Sequence, residues 1–478
     1  MPKTPIYSAL KAYAGEDFLR LHMPGHAGKG MEQQELSAAA AWDVTEIPGL
    51  DDLHLPGGII RQSQELLARA FAAGYSYFLV NGATEGIHAL FLALGREGKE
   101  ILLPRNAHRS FYGGMVLSGA VPVYIPVQTE AQLGIALAVT AEDIETLLQR
   151  HPEAQTVFLA SPSYYGTTCD VAAIAAVTRD LGKNLLVDEA HGSHFSFSDL
   201  YPQPALRSGA DAVVNGLHKT LPVLNQGAAL HLSAGWADNS RIRQTVSLLA
   251  TTSPSYPVMA SIELARQFME ENGASLLERA YEFSRCCSCR INRITGLKTC
   301  EQELRKVAGV AQLDPLKILV SVQGTALSGY QFASRLRDKY RIQVELADSN
   351  IILAMFSIFH EAQDWTRFYQ ALQDIAVSYP GPGGQPVKVE LPPPPHMLLS
   401  PSQAFMAPCR RVPLRDGVNK TAGEMIAAYP PGIPCILPGE LISREMIDYL
   451  VYLVRSGARI QGPEDAALRY INIIDGPS

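Results

Sequence analysis

From Ile59 onward, short apolar runs alternate with helical patterns at a spacing that leaves few folds open. The runs YFLV, EILLP, VPVYIP, TVFLA, LLVD and AVV are strand-like, and helices are predicted over Gln62–Ala73, Thr84–Leu94, Ser110–Ser118, Ala141–Arg150 and Val171–Leu181 around them. Strands this apolar, each joined to the next through a helix, argue for an α/β fold with a mostly parallel sheet covered on both faces. Ligands of such sheets bind beyond the carboxyl ends of the strands. Gly82, His108, Ser161-Pro162, Asp188 and Lys219 all fall at that address.

The stretch AVVNGLHKTLPVLNQGAALH, Ala212 to His231, holds the most unusual of these residues. A lysine at the mouth of a buried strand is costly, and enzymes use such a site to lower its pKa and make it a nucleophile. A bare His-Lys pair is more often a surface loop, but three other stretches change that balance. NLLVDEAHGSH ends an apolar strand in Asp188; VNGATEGIHAL is a strand, a small-residue turn and a helix start; RNAHRS follows the strand ILLP. A lysine for covalent attachment, a carboxylate for a ring nitrogen, a helix N-terminus for a phosphate and a flat group for a ring face together describe a site for pyridoxal 5′-phosphate, PLP.

Composition bounds the alternatives. The chain has 478 residues, 47% of them hydrophobic, enough for two or three domains. A net charge of −7 argues against nucleic acid as a partner. No run of 18 apolar residues suggests a membrane span, the first residues lack a signal-peptide pattern, and seven unevenly spread cysteines suit a reducing cytoplasm.

Elsewhere the readings are coarser. Residues 1–20 are expected to form an amphipathic helix with Ile6, Leu10, Tyr13 and Leu21 on one side, followed by a loop at HMPGH and a helix over Ser37–Trp42. Asp43–Gly58 is an irregular acidic loop. Helices are predicted over Met259–Met269, Leu276–Ile294 and Ser328–Tyr340, and strands at Leu316–Val322, IQVELAD and NIILAMFSIF. Tyr379–Met397, rich in proline and glycine, reads as a linker. A loop at Ala427–Glu440, a helix over Ser443–Arg455 and the strand YINII end the chain. The expected division is 1–58, 59–300 for cofactor binding, a small α+β domain at 301–385, and 386–478. DEAH at Asp188 to His191 resembles a helicase box, but no phosphate loop precedes it. Cys286, Cys287, Cys289 and Cys300 do not make two close pairs, and a metal cluster of Asp188, Glu189, His191 and His194 would leave Lys219 unexplained, so no metal is expected.

The stretches HMPGH, DVTEIPGLDDLHLPGG, FLVNGATEGI, RNAHRSFYGGMVLSGAVPVY, SPSYYGTTCD, VDEAHGSHF, LHKTLP, TSPSYPVMAS and AAYPPGIPCILPGE closely resemble the Orn/Lys/Arg decarboxylases, nearest to shorter bacterial members without an N-terminal wing domain. The match runs from about residue 20 to 270 and again from about 405. It implies the aspartate-aminotransferase-like PLP fold (fold type I), a smaller α+β C-terminal region, and decarboxylation of arginine, lysine or ornithine to agmatine, cadaverine or putrescine. It further implies that Lys219 holds PLP, Asp188 pairs with its ring nitrogen and His108 stacks on its face. Ala190 and His191 would flank the ring; Ala83, Thr84, Glu85 and Gly86 would hold the phosphate, and His218 would contact phosphate or substrate. Glu440, Asp51 and Asp52 are candidates for the substrate's distal cation. A homodimer or higher homo-oligomer is implied, with Thr252–Pro257 reaching the neighbouring subunit.

Two departures stand out. Asn215-Gly216-Leu217 supplies no hydroxyl where many relatives have one for the phosphate, and Glu85 puts a carboxylate in the phosphate turn. The competing readings are another fold type I PLP enzyme, such as an aminotransferase or lyase, and a non-catalytic regulatory paralogue.

Overall fold

The structure, a computed structural model, describes residues 3–16, 18–29, 38–381, 392–393, 395–429 and 432–475. Ser37 and most of the proline-rich linker lie outside them. The chain forms two compact units: Met1–Ala93, Leu185–Asp199 and Gln203–Ser275 make the first, and Leu94–Asn184, Leu200–Pro202 and Leu276–Ser478 the second. In chain order the first ten strands are β1 (Tyr75–Leu79), β2 (Glu100–Pro104), β3 (Val121–Ile125), β4 (Gln128–Glu130), β5 (Ile135–Ala138), β6 (Thr156–Ala160), β7 (Thr167–Cys169), β8 (Asn184–Asp188), β9 (Ala212–Asn215) and β10 (Ala228–Leu232).

In the first unit the strand order is β1-β10-β9-β8. β8 and β9 run parallel, with Asp188 opposite Val214, whereas β10 is antiparallel to both β9 and β1. Val213, Val214, Leu185, Leu186, Val187 and Leu230 are buried, as expected for strands covered on both sides. The helix Ala83–Leu94 lies close against this sheet because Gly86 has no side chain. A Cβ there would stand 2.6 Å from Leu79 and 3.2 Å from Val214. In the second unit the order is β6-β2-β3, all parallel.

The N-terminal helix, Pro5–Gly15, is shorter than predicted. Ile6 and Leu10 are buried, but Leu21 lies beyond the helix and is 86% exposed. Its first-turn amides, which no helix can satisfy internally, are taken up by a residue far away in sequence. The buried carboxylate of Glu263 accepts from Ile6 N at 3.1 Å and Tyr7 N at 2.8 Å. Beside it, buried Arg266 donates to Lys3 O and to Glu270.

Several other expectations change. Only residues 38–40 of the Ser37–Trp42 stretch are helical. The two helices expected around residues 259–294 are one, Tyr256–Ile291. Gly273 does not interrupt it, because its bare backbone is where Phe197 packs, 3.2 Å from where a Cβ would be. A helix at Ser240–Leu249, capped by Asn239, and another at Ala362–Ser378 were not foreseen, nor was the β4–β5 hairpin.

The small domain is a four-stranded antiparallel sheet of Lys298–Thr299, Lys317–Ser321, Ile351–Met355 and Leu346–Ala347. Only the last two residues named form the strand expected at IQVELAD. Ala427–Glu440, expected as a loop, holds most of a hairpin: Ile426–Tyr429 pairs with Ile433–Ile436. Around it, Ile426, Ile436, Ile442, Leu450, Ile471 and Ile473 form a buried core with the helix Arg444–Arg455, which Ser443 caps.

Because the buried carboxylate of Glu263 serves two first-turn amides, Glu263→Ala is expected to destabilise the protein by about 1–3 kcal/mol. Hydrogen exchange should speed up over residues 5–15, and the urea midpoint should fall.

Candidate active site

Lys219 sits on a single helical turn, Leu217–Thr220, directly after β9. The approach to that turn is tight. A Cβ at Gly216 would come 2.9 Å from the Ala190 carbonyl oxygen and 3.2 Å from Lys219 Cδ. The missing hydroxyl in Asn215-Gly216-Leu217 thus has a steric reason, since the chain after Asp188 passes where a side chain would stand. Lys219 Nζ lies 3.1 Å from His191 Nε2.

Asp188 ends β8 and is buried, and its Oδ1 accepts from Ala190 N at 3.0 Å. Burial pushes its carboxyl above the usual range, against the Lys219 ammonium and the Ala190 amide, which favour the anion. Its neighbour Glu189 is also buried, pushed up to about 8, and holds Ala205 N at 2.7 Å, which fixes the loop after the strand. His218 pairs Nδ1 with the Gly227 carbonyl at 2.9 Å. Burial lowers its pKa, outweighing that carbonyl, and the Lys219 charge lowers it further. Because a carbonyl only accepts, Nδ1–H is the donor.

The turn after β1 brings Gly82, at φ +79°, to the start of the helix Ala83–Leu94. Space around Gly82 is open, with nothing within 4 Å of a Cβ placed there. First-turn amides of a helix face outward and attract anions. Glu85, the residue that looked out of place, folds back: it is buried and accepts from Asn81 N at 3.1 Å. Burial raises it to about 7, against that amide and the charge of His54. Much of the expected negative charge is thereby removed near neutral pH.

These residues fit PLP. A buried carboxylate under strain from its own burial suits a cationic ring nitrogen, an amine lies within its field, and a helix start opens beside Gly82. The Thr220 hydroxyl, next to Lys219, is a buried polar atom without a hydrogen-bond partner among the described residues.

His108 belongs to the second unit. It caps the helix Arg109–Ser118, with Nδ1 accepting from Ser110 N at 3.3 Å and 2.9 Å from its hydroxyl. The three carboxylates considered for the substrate's distal cation have other work. Glu440 is 0% exposed and grips Arg105 through both oxygens, at 2.9 and 2.8 Å. Asp51 accepts from the amides of Gly57, Gly58 and Ile60, at 3.1, 2.8 and 2.9 Å, and shapes the acidic loop into the next helix. Burial would raise the Asp51 carboxyl, but its amide donors together hold it below the usual range. Asp52 accepts from His54 N at 2.8 Å. The three share one feature: carboxylates beside turns accept from backbone amides or from a buried arginine. Arg105 was missed, although it lies inside the RNAHRS stretch.

The family described as "Orn/Lys/Arg decarboxylase, major domain" matches residues 4–308, and its C-terminal domain matches residues 389–467. The chain belongs to the Orn/Lys/Arg decarboxylase family. It is a PLP-dependent decarboxylase of basic amino acids. It is 34% identical to the arginine decarboxylase of Bacillus subtilis over 99% of this chain and 98% of that protein. The same values hold for the arginine decarboxylase of Halalkalibacterium halodurans. Among solved structures it shares the fold of the Francisella novicida lysine decarboxylase LdcF, with a TM-score of 0.85 at 20% identity over 99% of this chain and 81% of that one. The Sphingomonas wittichii serine palmitoyltransferase aligns at 0.57 and 16% identity, over 79% and 85% of the two chains. The fold is the fold type I PLP fold, with a mostly parallel central sheet and a smaller C-terminal region.

The raised Glu85 carboxyl sets a pH dependence. Its folded pKa of about 7 stands above the unfolded value of 4.5, so the folded state holds the proton more tightly. The stability it contributes is full below pH 4.5 and is lost as pH rises through about 7. Glu85→Gln is expected to flatten this part of the stability–pH curve, measured by urea unfolding of the cofactor-free protein between pH 4.5 and 8.

Proposed function

We propose that this decarboxylase acts on arginine, releasing CO2 and agmatine, at a site built on Lys219 and Asp188. The observation that carries the site assignment is the shared neighbourhood of Asp188, Ala190, His191 and Lys219, where a buried carboxyl feels the lysine charge and the lysine amine lies 3.1 Å from His191. Support for arginine comes from the two full-length relatives of that name.

When bound, PLP supplies an electron sink for the bond to the departing carboxylate. Lys219 holds the cofactor covalently through Nζ. Asp188 keeps a proton on the ring nitrogen; opposite charges about 4 Å apart at an effective dielectric of 20 attract by about 4 kcal/mol. Ala190, whose side chain is a single methyl, would leave room against one ring face. The amides of Ala83 to Gly86 and the Thr84 hydroxyl hold the phosphate. His191 takes up or returns the Lys219 proton, and His218, with Nδ1 committed to Gly227, offers only Nε2. Glu440, Asp51 and Asp52 remain the carboxylates read for the distal guanidinium, and each also accepts hydrogen bonds within this subunit.

The chain is further read as a homo-oligomer of the cytoplasm. Leu21, Leu55 and Leu248 are 86%, 81% and 74% exposed, a burden that a partner subunit would relieve. All seven cysteines are free thiols. Among the described residues no helix is long and apolar enough to cross a membrane. The four-part division of the chain, with boundaries at 58, 300 and 385, is kept; family segments ending at 308 and starting at 389 support the last two.

Release of CO2 from arginine, lysine and ornithine by the PLP-loaded protein tests this reading. Arginine should be turned over fastest, with Lys219→Ala inactive and no longer labelled by borohydride, and Asp188→Asn slowed by about 10²-fold or more. Turnover of lysine or ornithine alone would overturn the arginine assignment, and a fully active Lys219→Ala would overturn the site.

A further inference from the structure

Two consecutive carbonyls of the first unit hold the helix start at Gly82 and the turn that carries Lys219. Gly82 N donates to Gln226 O at 2.8 Å. Gly227 O accepts from His218 N at 3.0 Å and from His218 Nδ1 at 2.9 Å, so it fixes the residue next to Lys219. Neighbouring Cα atoms stand about 3.8 Å apart. One peptide unit therefore sets the spacing between the helix start and the lysine turn.

The turn that carries these carbonyls is closed and anchored. Gly227 N donates to Leu224 O at 3.0 Å. Leu224 N donates to the Ser261 hydroxyl at 3.1 Å, which in turn donates to Val258 O at 2.7 Å. Gly227 admits no side chain, since a Cβ there would stand 2.3 Å from Val223 Cγ1. The third residue of the turn, Gln226, has φ +76°. Such a position favours glycine or asparagine, because a Cβ crowds the left-handed region. The Gln226 side chain is exposed, so burial does not account for it. What a side chain adds is stiffness. Glycine moves readily between positive and negative φ, whereas glutamine in a closed turn has fewer alternatives, and its carbonyl keeps its direction.

Gly82 passes that direction on. Its N–H is committed to Gln226, and its carbonyl accepts from Glu85 N at 3.1 Å. The peptide planes on both sides of Gly82 are thus set, and with them the first-turn amides that attract an anion.

We propose that Gln226 is a positioning residue for the cofactor phosphate, its left-handed turn holding the helix start at Gly82 in register with the Lys219 turn. The proposal rests on the placement of the phosphate at Ala83 to Gly86 given above.

The test titrates the full-length, cofactor-free protein with PLP and, separately, with pyridoxal, which has the same ring and aldehyde but no phosphate. Absorbance of the bound cofactor gives each Kd, and hydrogen exchange reports on Gly82. Valine, branched at Cβ, disfavours positive φ, whereas asparagine tolerates it. Gln226→Val is expected to raise the Kd of PLP about tenfold, to leave that of pyridoxal within about twofold, and to speed exchange at Gly82. Gln226→Asn should stay within about twofold of the wild type throughout. Ser261→Ala frees the same turn at its other end and carries the test if Gln226→Val does not fold; it should weaken PLP alone, by about threefold. Equal losses for PLP and pyridoxal, or an unchanged PLP affinity in the folded variants, would overturn the proposal. So would an asparagine variant that behaves like the valine one, because the side chain rather than the backbone conformation would then matter. Thr84→Asp, which puts a carboxylate on the exposed first turn, should weaken PLP and spare pyridoxal. If it changes neither, the reading of the phosphate site falls and takes the proposal with it.

Discussion

The charge of Asp188 is the constraint around which the first unit is arranged. A carboxylate at the end of a buried strand is expensive, and nearby the structure offers it one amide and the field of one lysine. Both come from tightly set chain. The amide belongs to Ala190, two residues on, and the lysine to a turn that passes Ala190 at a distance only glycine permits. Removing the side chain at Gly216, burying Asp188 and presenting Lys219 are therefore one structural decision seen from three positions.

The same economy governs the other buried acids. Glu85, Glu189, Glu263 and Glu440 each hold backbone amides or a buried arginine rather than facing solvent. Their environments differ in what they permit. Glu85 and Glu189 are raised by burial to about 7 and about 8, so they spend part of their time uncharged. Asp51, nearer to water and served by several amides, stays below the usual range. A count of acidic residues therefore overstates the negative charge this interior carries.

What could be read in advance followed from local rules. Strands covered on both faces are apolar throughout, so β2, β6 and β8 stood out in the sequence, with helical spacing between them. Asp188 and Lys219 drew notice because Asp188 ends one apolar strand and Lys219 comes shortly after another. The parts that escaped notice depend on partners distant in the chain. Glu263 lies 257 residues from the helix it caps, and nothing near Glu440 announces Arg105. The continuous helix at 256–291 was read as two, and Gly273 between them packs against Phe197 without interrupting it. The amides that Asp51 and Asp52 hold, at Gly57, Gly58 and His54, are by contrast local to the acidic loop.

The Arg105–Glu440 pair also bears on how the chain is made. Its two halves are 335 residues apart. At about 5–20 residues per second, the ribosome releases Arg105 roughly 15–70 s before Glu440 exists. For that interval the nascent major domain carries a guanidinium whose final site is dry but whose counter-ion has not been synthesised. The loop that carries Arg105 therefore waits for a segment translated much later before its guanidinium is satisfied.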